Sequence, residues 1–249
     1  MLKNKGIYHN HCHAKAQGEK QIAVLLDPDK IPPAHISRHI EVALLAKVDY
    51  FLIGGSTSLR GSLDDLIDNL RRETDTPLIL FPGSPLQICK KADAILFLSL
   101  ISGRNPELLI GHHVISAPTL MQSGIEVIST GYMLIDGGMR TAVQYMSNTQ
   151  PIPADKNDIA VGTAMAGQLL GLKLLYLEAG SGAKNPVSES IIRDVSQSVS
   201  IPIITGGGIR TPEKALENFR AGADLIVVGN ALENDPGLIR EIAAARFAT

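Results

Sequence analysis

The chain has 249 residues, of which 45% are hydrophobic, 19% charged and 4% aromatic. This length fits one to two ordinary domains and equally a single (β/α)₈ barrel of about 250 residues. Two cysteines exclude a disulfide framework and favour a reducing compartment. A formal net charge of −2, without any basic block, leaves no electrostatic footprint for a nucleic-acid partner.

The apolar runs of the chain are short. The run Ala94–Leu98 is among the longest and is far below the roughly 20 residues of a membrane span. The segment Met1–Lys15 is polar and His-rich and lacks the apolar core of a secretory signal. We therefore expect one domain covering residues 1–249, in the cytoplasm and without stable membrane insertion.

Eight continuous runs of aliphatic and β-branched residues predict strands that are covered on both faces. In chain order they are Ile22–Leu26, Tyr50–Ile53, Leu78–Phe81, Ala94–Leu98, Glu126–Ile128, Leu174–Leu177, Ile201–Ile204 and Leu225–Val228. Segments with helical spacing separate them. Pro186 and Pro212, which follow Asn185 and Thr211, each predict the first turn of a helix, and Gly222 predicts the C-cap of the second. Strands alternating with helices predict an α/β protein whose parallel sheet closes as a (β/α)₈, or TIM, barrel.

The turns after strands seven and eight are rich in glycine. Gly207 and Gly208 follow strand seven, and Gly229 and Asn230 follow strand eight. Glycine lets backbone N–H groups approach an anion closely, and this end of a TIM barrel is where phosphate sites form. The pair of turns predicts a phosphate cradle without identifying the phosphate; tight turns without a ligand are the alternative.

Strand six ends with Tyr176 and Glu178 and continues into the turn Gly180–Gly182. A buried carboxylate needs hydrogen-bond donors, which a polyol substrate supplies. We expect Glu178 to accept the proton of an attacking hydroxyl and Tyr176 to align that hydroxyl. The alternative is a glutamate paired with a barrel lysine or arginine.

Strands one and two end in oxygen-bearing side chains, Asp27 and Ser56. A carboxylate and a hydroxyl suit Mg²⁺, which takes few protein ligands and completes its shell with water or phosphate oxygens. A helix N-cap for Asp27 and a plain turn for Ser56 are the alternative. If the chain is a barrel, the ends of strands one, two, six, seven and eight converge on one mouth.

Two motifs are interpreted as surface features. Asp64-Asp65-Leu66-Ile67-Asp68 has the DDxxD pattern that binds Mg–diphosphate in all-helical prenyltransferases, but here it falls in the helix after strand two, away from the strand ends. The cluster His9–His13 has ligands for a transition metal, but it lies in an N-terminal segment that we expect to be poorly anchored.

Taken together, the motifs resemble the geranylgeranylglyceryl phosphate synthase family, which includes the bacterial heptaprenylglyceryl phosphate synthases. The resemblance covers nearly the whole chain, and its most specific motif is YLEAGSGA, from Tyr176 to Ala183. It implies a modified TIM barrel and transfer of a prenyl group to the sn-3 hydroxyl of sn-glycerol 1-phosphate, with diphosphate leaving. A geranylgeranyl donor is expected, with heptaprenyl as the alternative, and a homo-oligomer is implied.

The resemblance also assigns site residues. Its Mg²⁺ ligands fall on Asp27 and Ser56, and its residues that hold the glycerol moiety fall on Tyr176 and Glu178. The full set of implied glycerophosphate contacts is Tyr176, Leu177, Glu178, Ala179, Gly180, Ser181, Gly182, Gly207, Gly208, Gly229 and Asn230.

A prenyl donor requires an apolar groove beside the acceptor. Phe97, Leu100 and Tyr132, near the ends of strands four and five, are candidates for its wall or for plain packing. Two other functions remain open. A sugar-phosphate isomerase or lyase fits the barrel, although no strand ends in an obvious Schiff-base lysine, and a phosphate-binding scaffold without catalysis fits the glycine turns.

Overall fold

Eight parallel strands close into a barrel in chain order, as the sequence predicts. The computed structural model describes residues 6–55, 63–229, 231–232 and 235–249. Closure is made by β8 and β1, where Ile226 pairs with Ile22. The strands are β1 Gln21–Leu26, β2 Tyr50–Ile53, β3 Leu78–Leu80, β4 Ala94–Leu100, β5 Glu126–Leu134, β6 Leu174–Glu178, β7 Ile203–Gly206 and β8 Leu225–Val228.

Helices surround the barrel. They are α1 Ile7–Gln17, α2 Pro33–Leu45, α3 Leu63–Glu73, α4 His112–Ser123, preceded by a π-helical turn Glu107–Gly111, α5 Ala142–Ser147, α6 Asn157–Leu169, α7 Glu189–Ser198, α8 Pro212–Ala221 and α9 Leu238–Ala244, followed by a 3₁₀ turn Ala245–Phe247. Over the described ranges, none of these helices has the length and apolarity to cross a bilayer.

The helix limits test the sequence prediction. Pro212 lies in the first turn of α8 and Gly222 ends the helix in the left-handed conformation, as predicted. Thr211 caps the helix by accepting a hydrogen bond from the Lys214 amide. The prediction for Pro186 was wrong, because α7 begins only at Glu189. The hydroxyl of Ser188 accepts a hydrogen bond from the amide of Ile191, in the first turn of that helix. A proline has no side-chain acceptor, so Ser188 rather than Pro186 sets the N-terminus of α7.

Alternation along each strand directs the chemically active side chains into the barrel. In β6, Leu175 and Leu177 pack outward against the helices, whereas Leu174 and Tyr176 pack inside the barrel. Successive side chains of a strand point to opposite faces, so Glu178 follows Tyr176 to the inside. The strand is a continuous apolar run because both faces are covered.

Helix α1 covers the N-terminal end of the barrel, so the expectation of a poorly anchored N-terminus was wrong. The amides of Ile7 and Tyr8 donate to the carboxylate of Glu126 at the start of β5. His11 is buried against the Tyr50 ring, with centroids 4.7 Å apart, and its Nδ1 lies 2.6 Å from the side-chain oxygen of Gln21. These contacts fix the helix across the N-terminal end of the barrel, which is called the barrel floor below.

The connection between β3 and β4 departs from the regular barrel pattern. Residues 81–93, all of which the structure describes, contain no helix. The outward-facing side chains of β4, such as Ile95 and Phe97, therefore face an open space between this loop and α4. The barrel is a modified one, and the modification leaves a cleft beside its mouth.

Candidate active site

A polar cavity of about 300 Å³ opens at the C-terminal ends of the strands. Asp27 from the end of β1 and Glu178 from the end of β6 line it together with the glycine turns after β7 and β8. The expectation that these strand ends converge on one mouth is confirmed. The cavity wall includes Asp27, Lys30, Tyr176, Glu178, Ser181, Gly182, Gly207, Gly208, Arg210 and Gly229.

Glu178 is buried in this mouth, with 6% of its surface exposed. Burial raises the pKa of Glu178 from its usual 4.5 to about 7, although hydrogen bonds from the Gly180 amide and the Tyr176 hydroxyl and the nearby positive charge of Lys30 act in the opposite direction. The Gly180 amide lies 2.7 Å from Oε1. A carboxylate with a pKa near neutrality is suited to accept a proton.

The turn after β7 lies directly against this carboxylate. A Cβ atom at Gly207 would be 2.4 Å from Oε1 of Glu178, and the backbone there has φ +82°. Only glycine fits both the conformation and the space. The absence of a side chain keeps the backbone of this turn accessible from the cavity, as a phosphate cradle requires.

Three aromatic rings form one wall of the mouth. Phe81, which directly follows β3, stacks on Tyr176 with centroids 5.0 Å apart and an interplanar angle of 8°. Tyr132 lies 6.0 Å from Phe81 and 5.5 Å from Tyr176. Burial, together with the nearby Glu178, raises the pKa of both tyrosines well above the ordinary value. Tyr176 therefore stays protonated and can donate to an oxygen.

Asp27 is the other carboxylate of the mouth and is 8% exposed. Burial raises its pKa above the ordinary value, against the Asp29 amide, which donates to Oδ1 at 3.0 Å, and Lys30, whose Nζ lies 3.6 Å from Oδ2. Gly55, at the end of β2, approaches so closely that a Cβ there would be 2.4 Å from Oδ2. Ser56, the other predicted Mg²⁺ ligand, directly follows Gly55 in the sequence.

This arrangement fits a magnesium site of the open kind. Within the described ranges no group of three or more His, Cys, Asp or Glu residues could hold a metal ion, so a closed protein cage is not formed there. Mg²⁺ is commonly held by one or two carboxylates and by substrate phosphates. A single buried carboxylate beside a phosphate cradle matches that donor set, and a bound cation would offset the cost of burying its charge.

An apolar cleft of about 390 Å³ adjoins the polar cavity. It occupies the space left by the missing helix after β3, between the loop 81–93 and α4. Phe97, Leu100 and Tyr132, the predicted wall residues, all line it. Phe81 and Tyr132 line both spaces, so the aromatic wall of the polar mouth is also one end of the cleft.

The chain is similar to a known protein family over most of its length. The model of the PcrB family matches residues 15–246. The chain belongs to the PcrB family. The geranylgeranylglyceryl phosphate synthase of Chitinophaga pinensis is 56% identical over 97% of this chain and 96% of its own length. That of Thermococcus gammatolerans is 42% identical over 92% of this chain and 90% of its own.

A solved structure of the same kind is also similar. It is (S)-3-O-geranylgeranylglyceryl phosphate synthase from Thermoplasma acidophilum in complex with its substrate sn-glycerol-1-phosphate, with a TM-score of 0.92 and 35% identity. The match covers 98% of this chain and 100% of that one. The resemblance inferred from the motifs is therefore confirmed, and so is the modified TIM barrel.

Not every residue assigned from the PcrB family pattern lines the mouth. The side chains of Leu177 and Ala179 lie in the core between sheet and helices, so only their backbones face the strand ends. The Gly180 amide is bonded to Glu178. Ser56 and Asn230 lie outside the described residues. The roles assigned to these five positions, like those assigned to the residues that do line the mouth, stay predictions.

Three residues that line the polar cavity were not among the site residues predicted from the sequence. Lys30 and Arg210 line the polar cavity, and Arg210 donates to the carbonyl oxygens of Ala183 at 2.7 Å and of Gly182 at 3.3 Å, which ties the turns after β6 and β7 together. Phe81 was the last residue of a predicted strand. Because Phe81 ends a predicted strand, the rule that places Glu178 at the mouth also places Phe81 there.

The two surface motifs have structural explanations. Asp64 and Asp65 are exposed on α3, and Asp68 of the same helix forms an ion pair with Lys91, as expected for a solvated helix face. The His9–His13 cluster belongs to α1, where His11 is a packed residue of the barrel floor. Neither motif lies at the mouth.

Proposed function

We propose that this chain transfers a geranylgeranyl group from its diphosphate to the sn-3 hydroxyl of sn-glycerol 1-phosphate, with Mg²⁺ as cofactor and diphosphate as the leaving group. The observation that carries the proposal is the junction of two dissimilar spaces: a polar mouth with Glu178 and glycine turns, and an apolar cleft that begins at Phe81 and Tyr132. A small phosphorylated alcohol fits the first space and a prenyl chain fits the second.

The relatives support the reaction class. The chain is a prenyltransferase, because curated relatives named geranylgeranylglyceryl phosphate synthase are up to 56% identical across almost its whole length. The acceptor is supported by the Thermoplasma structure, which holds sn-glycerol-1-phosphate in a barrel of the same shape. The length of the prenyl donor and the metal are the finer parts of the proposal.

The acceptor is held by the turns after β6, β7 and β8. Backbone N–H groups of the glycine turns bind its phosphate, and Tyr176 and Glu178 bind the glycerol hydroxyls. This places the reacting hydroxyl beside the carboxylate of Glu178, which accepts its proton as the ether bond forms. The pKa of about 7 leaves a large fraction of that carboxylate ionised at neutral pH.

The donor spans the junction. Asp27 and Ser56 would hold Mg²⁺, which when bound neutralises charge on the departing diphosphate. The cleft residues exclude water from the allylic carbon and bind the chain, at about 0.8 kcal/mol for each buried CH₂ group. Such a contribution requires no specific contact, so a twenty-carbon chain has ample binding energy.

One assay tests this proposal. The purified chain is incubated with sn-glycerol 1-phosphate, Mg²⁺ and the C15, C20 or C35 prenyl diphosphate, and the ether product is identified by mass spectrometry. We expect product with C20 in preference to C15 and C35. Preference for the C35 diphosphate would make heptaprenyl diphosphate the donor, and the proposed type of reaction would stand. Turnover of an aldose or ketose phosphate without any prenyl donor, or binding of glycerophosphate without diphosphate release, would overturn it in favour of an isomerase or lyase, or of a scaffold.

We also propose that the chain forms a homo-oligomer. Helices α4 and α6 flank β5 and carry large exposed apolar side chains, among them Val114 at 67%, Ile115 at 65% and Leu169 at 85%. Monomers seldom expose many such side chains together. Light scattering should give at least twice the 26.6 kDa chain mass. Val114→Asp combined with Leu169→Asp should shift the mass toward one chain; an unchanged mass for this variant would move the interface elsewhere, and a monomeric wild type would end the proposal.

A further inference from the structure

Lys30 connects the two halves of the polar mouth. It lies in the turn after β1, where its amide donates to the Asp27 carbonyl at 3.0 Å, and this tight turn brings its side chain back over the strand end. Nζ donates to the hydroxyl of Ser181, in the turn after β6, at 2.6 Å and lies 3.6 Å from Oδ2 of Asp27. The ammonium group thus stands between the proposed metal ligand and the proposed acceptor pocket.

The charge of the mouth makes this position significant. Its two carboxylates, Asp27 and Glu178, would face two phosphorylated reactants. The cations on the described wall of the cavity are Lys30 and Arg210. The guanidinium of Arg210 is directed to backbone carbonyl oxygens, where it braces a turn. Lys30 has a side chain that is 37% exposed and a compact ammonium with three donors on a flexible stem, which can contact a ligand while keeping one existing partner.

We propose that Lys30 is a further catalytic residue, which binds the diphosphate of the prenyl donor between Asp27 and Ser181. The inference rests on the proposed function. In the reaction the bond between the allylic carbon and the diphosphate oxygen breaks, and its electron pair goes to the diphosphate. The acceptor oxygen forms the new bond to that carbon, and its proton passes to Glu178. Lys30 donates a hydrogen bond to the oxygen that gains charge, so its contact is stronger in the transition state than before it.

The test uses Lys30→Met, with Lys30→Arg as the conservative variant and Lys156→Met as a matched control, since Lys156 is an exposed lysine that does not line the cavity. Calorimetric titration with inorganic pyrophosphate, with and without Mg²⁺, measures anion binding without turnover. We expect Lys30→Met to weaken pyrophosphate binding by about 10-fold or more and kcat by about 10–100-fold, as for loss of a charge-assisted hydrogen bond. The KM for sn-glycerol 1-phosphate should change by less than about threefold, because the proposed contact is with the donor diphosphate and not with the acceptor. Lys30→Arg should recover much of the pyrophosphate affinity.

Two results would overturn the assignment. Wild-type pyrophosphate affinity in Lys30→Met would remove the contact, and an equal loss of glycerophosphate affinity would make Lys30 a brace for the Ser181 turn. Thermal unfolding of each variant identifies misfolding, and Lys30→Gln serves if the methionine variant does not fold. The wild type could bind pyrophosphate but make no prenyl ether, with Lys30→Met losing that binding. In that case the proposed function fails while the anion site stands.

Discussion

Replacing Glu178 by glutamine is expected to lower turnover by about 10²–10⁴-fold, the usual contribution of a general base. Glutamine keeps the size of the side chain and an oxygen that accepts from the Gly180 amide, but it cannot take a proton. In the wild type, kcat/KM should fall about tenfold per pH unit below the pKa of Glu178, which is raised to about 7. The variant should lose that limb of the pH profile.

The same substitution should stabilise the folded chain at high pH. The unfolded chain releases the proton of Glu178 near pH 4.5, whereas the folded chain releases it near pH 7. Between these values the folded state binds more protons, so stability falls as pH rises through this window and stays lower above it. Glutamine cannot ionise and therefore avoids this loss of stability. A rise in pKa from 4.5 to about 7 corresponds to a loss of about 3 kcal/mol in the free energy of unfolding.

Denaturant unfolding at pH 4 and pH 8 measures the effect. The stability of Glu178→Gln and the wild type should be similar at pH 4 and differ at pH 8 in favour of the variant. Glu217→Gln, at an exposed position of α8, is the control and should change neither activity nor the pH dependence. Near-wild-type turnover of Glu178→Gln would remove the proposed base, and a less stable variant at pH 8 would contradict the cost of burying this charge.

Replacing Asp27 by asparagine is expected to lower turnover by about 10²–10³-fold, since metal charge at a leaving group contributes several kcal/mol. The amide has the shape of the carboxylate but is a weak Mg²⁺ ligand. The dependence of pyrophosphate binding on Mg²⁺ should be lost as well, whereas sn-glycerol 1-phosphate, held by the glycine turns, should bind with little change.

Titration of pyrophosphate with and without Mg²⁺, and turnover after chelation with EDTA and readdition of Mg²⁺, measure this prediction. The wild type should be inactive in EDTA and recover with Mg²⁺. Asp155→Asn, at an exposed position of the loop before α6 and outside the cavity wall, is the control. Full activity of the wild type in EDTA, or metal-dependent pyrophosphate binding by Asp27→Asn, would rule out the site.

The fold was predictable because the barrel has a strong local pattern. Each strand, such as β6, is a short run that is apolar on both faces, and the strand ends of a barrel share one mouth whatever the helices do. Asp27, Glu178 and Gly207 could therefore be placed together from the sequence. Their chemistry could be proposed because buried carboxylates and glycine turns have few other uses at that place.

Other features depended on contacts that are distant in sequence. The Pro186 prediction failed because a serine two residues later made the better cap. The packing of His11 depends on Tyr50 and Gln21, and the bridge from Lys30 to Ser181 joins residues 151 positions apart. No local pattern encodes such pairs. The segment 81–93 contains no helix, and no single residue type in it marks that absence.

That missing helix has a consequence for how enzymes of this shape diversify. In the proposed reaction the prenyl chain would lie in the cleft between the loop 81–93 and α4, beside β4, whereas the polar alcohol would lie at the ends of β6, β7 and β8. If that assignment holds, mutations in residues 81–93 or α4 would alter which isoprenoid is accepted and leave Glu178 and the glycine turns in place.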